Sequence, residues 1–388
     1  MEFELTESQK MLQNTVREFV EKEITKEYCR RWDTNHETMD WLDQRIRIKG
    51  IELGLFCIAV PKEYGGLGGG MVDEVIIVEQ VARRSPTAAF SVGGRMFVEL
   101  IMQYGTEEQK NEYLPKMANG TIGFAIAITE PAGGTDVLGA MSTTAVSNGD
   151  NFIINGQKIY ITGAHRADFI CTLAITDRNQ PKRSKAVSLL FVDRKSKGLE
   201  VKPLNKLSMR GAGTNEVFYA DVRVPRENLI GELNKGFYQL VSLLNPERIF
   251  CAATTVGLAQ GAFEDALEYA KSRMAFGKPI GQFQIIQHWL ADMAIEIEMG
   301  RLMTYKAAWL LDQGKPAYLE AAAAKVCTSE IAVKTTTNAM EIFAGAGVMM
   351  ETDIQRYFRD ARQFTFAPIS NEMARNFIGE LMGLPRSF

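Results

Sequence analysis

Histidine is almost missing from this 388-residue chain: His36, His165 and His288 lie far apart and leave little material for a histidine-rich metal site or a histidine base. Cysteine is also scarce. The five, at 29, 57, 171, 251 and 327, are an odd number without a CxxC pair, which argues against a disulfide framework or structural zinc and suits a reducing compartment. Charge of one sign is lacking too, since 44 basic against 47 acidic residues leave only −3, too weak a field to gather nucleic acid or an anionic membrane. The longest apolar run, Ile249 to Phe263, is uncharged for about 15 residues, whereas crossing a bilayer takes roughly 20. The start, Met1-Glu2-Phe3-Glu4-Leu5, is acidic and enters a helical pattern almost at once, unlike a secretory signal or an arginine-rich transit peptide. A mature cytoplasmic protein is expected, with acid–base chemistry falling first to carboxylates.

What is present divides into three stretches. Residues 1–123 carry helical spacing, with Leu12, Val16, Phe19 and Val20 on one face. The clearest break in them is Pro61 to Gly70, whose glycines suit a flexible connector. From 124 to 232 the pattern becomes short runs rich in β-branched and aromatic residues: Phe124 to Thr129, Phe152 to Ile154, Lys158 to Thr162, Val187 to Val192 and Val217 to Val224. Ser147-Asn148-Gly149-Asp150 predicts a hairpin turn, and a second Asn-Gly at 155 and 156 separates the next two runs. From 233 to 388 the helical period returns, with Val256, Ala259, Phe263 and Ala266 on one face and an alanine-rich stretch at Ala321 to Ala324. The expected class is α+β: a helical domain, a middle β-barrel or sandwich, and a C-terminal helical bundle.

Two segments could approach a phosphate or a flat ring closely. Ile128-Thr129-Glu130-Pro131-Ala132-Gly133-Gly134-Thr135-Asp136 leaves a strand with small residues, hydroxyls and free amides, and Ile159-Tyr160-Ile161-Thr162-Gly163 ends a strand in a hydroxyl and a glycine. Each alone also fits an ordinary loop. Together with Asn155-Gly156-Gln157-Lys158, Glu63-Tyr64-Gly65-Gly66, Arg273-Met274-Ala275-Phe276-Gly277-Lys278-Pro279-Ile280, Gln284 and Arg359-Asp360-Ala361-Arg362, they make the whole chain resemble the acyl-CoA dehydrogenases.

The resemblance implies a flavoprotein, a homotetramer holding FAD between subunits and passing electrons to electron-transferring flavoprotein. It places Ile128, Thr129, Tyr160 and Thr162 at the flavin, and Thr135 near the pyrophosphate and the substrate. Arg273, Phe276 and Gln284, with the turn ending at Gly345, would be offered by a neighbouring subunit to the adenine and pyrophosphate half, where arginine suits phosphate. Glu341 departs from the glutamine often found there, and an acid beside phosphate would repel it. Ser370 and Glu372 resemble a flavin-contacting pair.

Removing an α proton from a thioester calls for a carboxylate in a dry pocket. Many members of the family take it from a C-terminal Tyr-Glu-Gly-Thr-like motif, but Ala367-Pro368-Ile369-Ser370-Asn371-Glu372 puts Pro368 there. Isovaleryl and long-chain types use a glutamate directly before a buried arginine, and Asn245-Pro246-Glu247-Arg248 aligns with that place, making Glu247 the candidate base. Asn-Pro-Glu also describes a helix start, with asparagine as cap. Arg248 either lines the pocket under the thioester or merely neutralises Glu247.

Proline has no N–H, so the backbone donor that the family gives the thioester oxygen at this position is missing. Either a shifted loop lets Ile369 donate, or a ribityl hydroxyl carries more of that role. Arg95 falls where the family shapes its acyl pocket and would favour a polar or acidic acyl group, unless it is only a surface or helix-end arginine. Alternatives on the same fold are an enoyl-CoA reductase or an oxidase of carrier-protein thioesters. A third reading, prompted by Pro368, is a catalytically silent flavin or acyl-thioester binding protein.

Overall fold

The computed structural model describes residues 4–35, 42–56 and 58–386; the chain start at Met1–Phe3, His36 and Cys57 lie outside them. Among the described residues the first stretch folds into helices α1 (Glu7–Glu23), α2 (Lys26–Thr34), α3 (Gln44–Glu52), α4 (Met71–Ala82), α5 (Pro86–Val92), α6 (Arg95–Tyr104) and α7 (Glu107–Ala118). Their ends follow local chemistry. Thr6 and Thr106 accept from the amides of Gln9 and Gln109 while those glutamines cap the threonine amides in return. The Pro61 to Gly70 stretch is no slack connector, because the amides of Gly66, Gly68 and Gly69 are tied to the carbonyls of Pro61, Val60 and Ile58.

The middle stretch forms one eight-stranded sheet from β1 (Phe124–Ala127), β2 (Thr144–Asn148), β3 (Asn151–Thr162), β4 (Phe169–Ile175), β5 (Val187–Asp193), β6 (Leu199–Leu204), β7 (Thr214–Pro225) and β8 (Leu229–Ile230). The order is β6-β7-β3-β2-β4-β5-β8, with β1 lying parallel to β4. Two turn expectations need correction. Asn148 pairs with Asn151, so the hairpin loop is Gly149-Asp150, with Gly149 at φ 60°. The second Asn-Gly does not end a strand; β3 runs through it with a register shift against β7 between Ile154 and Gly156.

The last stretch consists of α8 (Gly236–Ser242), α9 (Leu244–Ser272), a small hairpin β9 (Met274–Ala275) and β10 (Lys278–Pro279), α10 (Gln284–Asp312), α11 (Tyr318–Phe343), α12 (Ile354–Gln363) and α13 (Asn371–Leu381). Helix α9 is the axle of the molecule. Its uncharged run is buried against α4, α10 and α11, and no helix among the described residues is long and apolar enough to cross a membrane. Close approach to α4 needs glycine: a Cβ at Gly257 would lie 2.3 Å from the Glu79 carbonyl, and one at Gly261 2.0 Å from that of Arg83. The mixed architecture of helices, sheet and helices is the one expected.

Candidate active site

Two strand ends build one wall. The Ile159 amide donates to the Thr129 carbonyl at 2.9 Å, so the segments after β1 and at the end of β3 run side by side. A second register shift, between Lys158 and Ile161, takes Ile159 and Tyr160 out of the pairing with β7. Tyr160 there adopts φ 62° and is 66% exposed, an unusual placement for a bulky residue. Ile128, Thr129 and Tyr160 thus lie side by side, with Thr162 two residues on, where β3 pairs with β7 again. Among the described residues the hydroxyls of Thr129, Thr135 and Thr162 have no protein hydrogen-bond partner. Free hydroxyls beside a bulged strand suit the polar edge of a ring system.

A buried ion pair, which sequence reasoning missed, holds this wall. Lys158 Nζ donates to the Ile128 carbonyl at 2.8 Å and to Glu130 Oε1 at 2.9 Å, with neither side chain more than 4% exposed. Glu130 also accepts from the Ser142 amide and hydroxyl at 2.7 and 2.6 Å and from the Thr143 amide at 3.0 Å. Burial pushes the Glu130 carboxyl upward, but the Lys158 charge and these donors overcome it and hold its pKa at about 2. Burial brings the Lys158 ammonium down to about 8 against the pull of Glu130.

Glu247 sits in the first turn of α9, but Asn245 is not the cap that its sequence suggests. The helix starts two residues earlier, at Leu244 after Leu243, with no side-chain cap, because α8 runs almost straight into it. Pro246 explains the break: lacking an N–H, it cannot donate to Ser242, and within the first turn that loss costs little. Asn245 instead accepts from Arg248 Nη1 at 3.2 Å. From Asn245 to Ala259 every residue is buried except Glu247 and Phe250, three positions apart and hence on one face. On this run α9 therefore leaves only these two side chains partly accessible. Burial pushes the Glu247 carboxyl up to about 7, against the opposing charge of Arg248.

Arg248 is 5% exposed and lies over the Phe377 ring at 4.8 Å. Among the described residues it makes no ion pair, and its Nε is buried without a partner. It does not neutralise Glu247 by direct contact. Beyond Phe250 the wall turns to α5 and α6: Phe90 meets Phe250 edge to face at 5.3 Å, and a Cβ at Gly93 would lie 2.5 Å from the Phe250 ring. The base helix and the strand wall are linked, since Met209 and Ala212 share an apolar cluster with Cys251, one turn past Glu247, and the Gly163 amide donates to the Gly213 carbonyl at 3.0 Å.

Arg95 opens α6 but offers no spare charge. Its Nε donates to Glu74 at 2.5 Å, Nη1 to Glu99 at 3.4 Å and Nη2 to the Gly69 carbonyl at 2.8 Å. Two carboxylates already face one guanidinium, so the expectation of an acidic acyl group loses its basis. Thr135 is exposed on the loop after β1. Arg273, Phe276, Gln284 and Gly345 lie apart from this wall, at the far end of the C-terminal helices. Phe276 and Gly277, at φ 51° and 77°, form the tip of the β9–β10 hairpin, and Phe276 is 94% exposed. Tyr269 stacks on Phe343 at 4.1 Å, which brings the Arg273 end of α9 beside the turn that holds Gly345. Glu341 is exposed near that turn. Ser370 caps α13, accepting from the Met373 amide, with Glu372 exposed in its first turn.

Comparison with known proteins bears on the whole chain. Family models match residues 6–121 (acyl-CoA dehydrogenase, N-terminal domain), 125–222 (middle domain) and 234–383 (C-terminal domain). A probable acyl-CoA dehydrogenase, YngJ of Bacillus subtilis, is 40% identical over 382 residues, covering 97% of this chain and 98% of the relative. The caffeyl-CoA reductase-Etf complex subunit CarC of Acetobacterium woodii is 37% identical over 380 residues, covering 97% and 98%. The solved structure of butyryl-CoA dehydrogenase from Megasphaera elsdenii superposes with a TM-score of 0.92 at 32% identity, covering 99% of this chain and 100% of that one. With all three domain models and full-length relatives in agreement, the chain belongs to the acyl-CoA dehydrogenase family of FAD-dependent oxidoreductases that act on a CH–CH bond.

Proposed function

We propose that the chain oxidises the α,β bond of an acyl-CoA thioester to the enoyl-CoA, with Glu247 as the base. The observation that carries this reading is one partly accessible carboxylate, its pKa pushed up to about 7, on an otherwise buried stretch of helix. At neutral pH such a group is partly ionised and a stronger base than an exposed glutamate. It takes the α proton, and the electron pair of that C–H bond forms the new C=C bond while the β hydrogen leaves with its own pair. The chemistry that FAD would supply when bound is a hydride acceptor whose electrons would go singly to an electron-transferring flavoprotein. Arg248, buried beneath the base with its Nε unpartnered, supplies positive potential where the thioester oxygen gains charge.

Ile128, Thr129, Tyr160 and Thr162 would hold the flavin ring, and Thr135, Ser370 and Glu372 the adjoining parts of the cofactor. A neighbouring subunit's Arg273, Phe276, Gln284 and Gly345 turn would cover the adenine half. The same reading divides the chain at 123/124 and 232/233 and sets it in the cytoplasm, in keeping with the free thiols at Cys29, Cys171, Cys251 and Cys327. Run in reverse, the site is an enoyl-CoA reductase, with protonated Glu247 delivering the proton; the reductase named among the relatives favours keeping that direction open.

Anaerobic mixing of the FAD-loaded protein with straight, branched and cyclic acyl-CoA thioesters tests the reading. Bleaching of the oxidised flavin by at least one supports it. Tight binding without bleaching by any, and no reoxidation of the reduced flavin by the matching enoyl-CoA, would sink it.

Two further outcomes follow from the geometry. Phe250 stands one turn beyond the base, roughly 4.5 Å along the helix, so Phe250→Ala should raise the kcat/KM of octanoyl-CoA relative to butyryl-CoA by about tenfold or more. An unchanged ratio means that Phe250 does not bound the acyl chain. On α10, Ile295, Met299, Leu302 and Trp309 are 59%, 55%, 49% and 48% exposed along one helical stripe, an apolar face that suits the homotetramer. Met299→Asp with Leu302→Asp should lower the sedimenting mass and FAD retention together; an unaltered tetramer would place the interface elsewhere.

A further inference from the structure

Lys325 is 1% exposed on α11, and no carboxylate among the described residues pairs with it. Its Nζ donates to the Ile369 carbonyl at 2.5 Å and to Asn371 Oδ1 at 2.7 Å, two of the three bonds an ammonium can make. A buried ammonium held only by neutral acceptors carries a desolvation cost that no direct ion pair offsets. Joining two helices does not require it. Asn371 is already fixed to α11 through Ser329 at 3.0 Å and Glu330 at 3.3 Å, and Arg375 of α13 pairs with Glu330 at 2.7 Å.

The turn from Ala367 to Ser370 is held at its ends, by the Ala367 amide on the Gln363 carbonyl and by Ser370 as the α13 cap, and Lys325 grips its middle at Ile369. That turn leads into α13, and α13 meets α9 at Arg248. Arg248, next to Glu247, stacks on Phe377 of α13, and α11, which carries Lys325, packs along α9. Among the described residues the amides of Ile369 and Ser370 donate to no protein acceptor, and Pro368 has no amide to give. Unspent backbone donors at this corner are therefore found on the segment whose carbonyl Lys325 grips.

We propose that Lys325 is a positioning residue for the reaction: by tying the 367–370 turn to α11, which packs along the Glu247 helix, it sets the reacting end of the site. The inference rests on Glu247 being the base, and it adds a requirement that the base assignment does not contain. Burial brings the Lys325 ammonium down to about 8, against the pull of Cys251, Glu372 and Glu330 and together with the push of Arg248. The deprotonated amine still donates hydrogen bonds, so the positioning role does not depend on its charge.

The test is rapid mixing of FAD-loaded Lys325→Met and Lys325→Gln with the best acyl-CoA, with FAD stoichiometry and melting temperature measured alongside. A misplacement on the scale of 1 Å costs about 10²-fold. Lys325→Met should retain FAD and a KM within about twofold of the wild type while its limiting rate of flavin reduction per bound flavin falls about 10²-fold. Lys325→Gln, which keeps a donating amide on a shorter stem, should fall between the two. A merely structural lysine would lower melting temperature and FAD content and leave the rate per bound flavin intact; that result, or loss of FAD by both variants, overturns the proposal. Failure of the base assignment looks different, because it appears as wild-type flavin reduction in Glu247→Gln whatever Lys325→Met does.

Discussion

Glu247→Gln should abolish flavin reduction by acyl-CoA while leaving FAD bound, a fall on the order of 10³-fold or more in the limiting rate. The amide keeps the shape and the hydrogen-bonding ends of the side chain but cannot accept a proton at neutral pH. The same change should stabilise the protein. The folded-state pKa of about 7 lies above the carboxyl's ordinary value, so between the ordinary value and about 7 the folded chain holds a proton that the unfolded chain has released. Stability falls as pH rises through that window, and above it the buried carboxylate carries the full cost, roughly 3 kcal/mol at 1.36 kcal/mol per pKa unit. Glutamine removes that cost. Melting at pH 8 should therefore be higher for the variant by a few degrees, and the wild-type rate of flavin reduction should climb between pH 6 and 8 as the base ionises. A variant that melts lower, with a pH-independent wild-type rate, would show that this carboxyl is neither buried in the sense required nor the base.

Lys158→Met carries the next largest expected effect. It leaves Glu130 buried with hydroxyl and amide donors but no cation, and breaking a buried pair in this way costs about 3–5 kcal/mol. The Ile128 carbonyl loses its donor at the same time, so the strand wall at Ile128 and Thr129 loosens exactly where the flavin would lie. The expected result is a melting temperature lower by about 5–10 °C and FAD lost on gel filtration. The wild type should also lose stability as pH falls toward the Glu130 value of about 2 from the ordinary carboxyl range, because the low folded-state pKa contributes stability only while the group is ionised. That acid sensitivity should be blunted in Lys158→Met. Unchanged melting and FAD retention would mean that Lys158 and Glu130 do not hold the wall.

The order of helices, sheet and helices is legible in the sequence because each stretch keeps one hydrophobic period for long enough to be seen. Glu247 is legible too, through the arginine beside it. The details that shape the site are not. Asn155-Gly156 looks like a turn, yet β3 absorbs it as a bulge because pairing with β7 resumes on both sides. Asn245 looks like a cap, yet α8 leaves it no free helix start and its oxygen goes to Arg248. Lys158 and Glu130 are 28 positions apart, and no local pattern announces that they meet. Arg95 stands alone in the sequence and is matched by Glu74, 21 positions earlier, only once α4 and α6 pack together. Lys325 hides in an alanine-rich helix whose local composition gives no reason for a buried charge. Each of these depends on tertiary neighbours, which spacing along the chain does not encode.

The central claim, that Glu247 removes the α proton, is tested most directly by α-proton exchange in D2O, followed by NMR on an acyl-CoA analogue whose β carbon carries no transferable hydride. The FAD-loaded wild type should wash deuterium into the α position at a rate that rises through about pH 7, and Glu247→Gln should show none above the uncatalysed background. Exchange by Glu247→Gln at the wild-type rate would contradict the account.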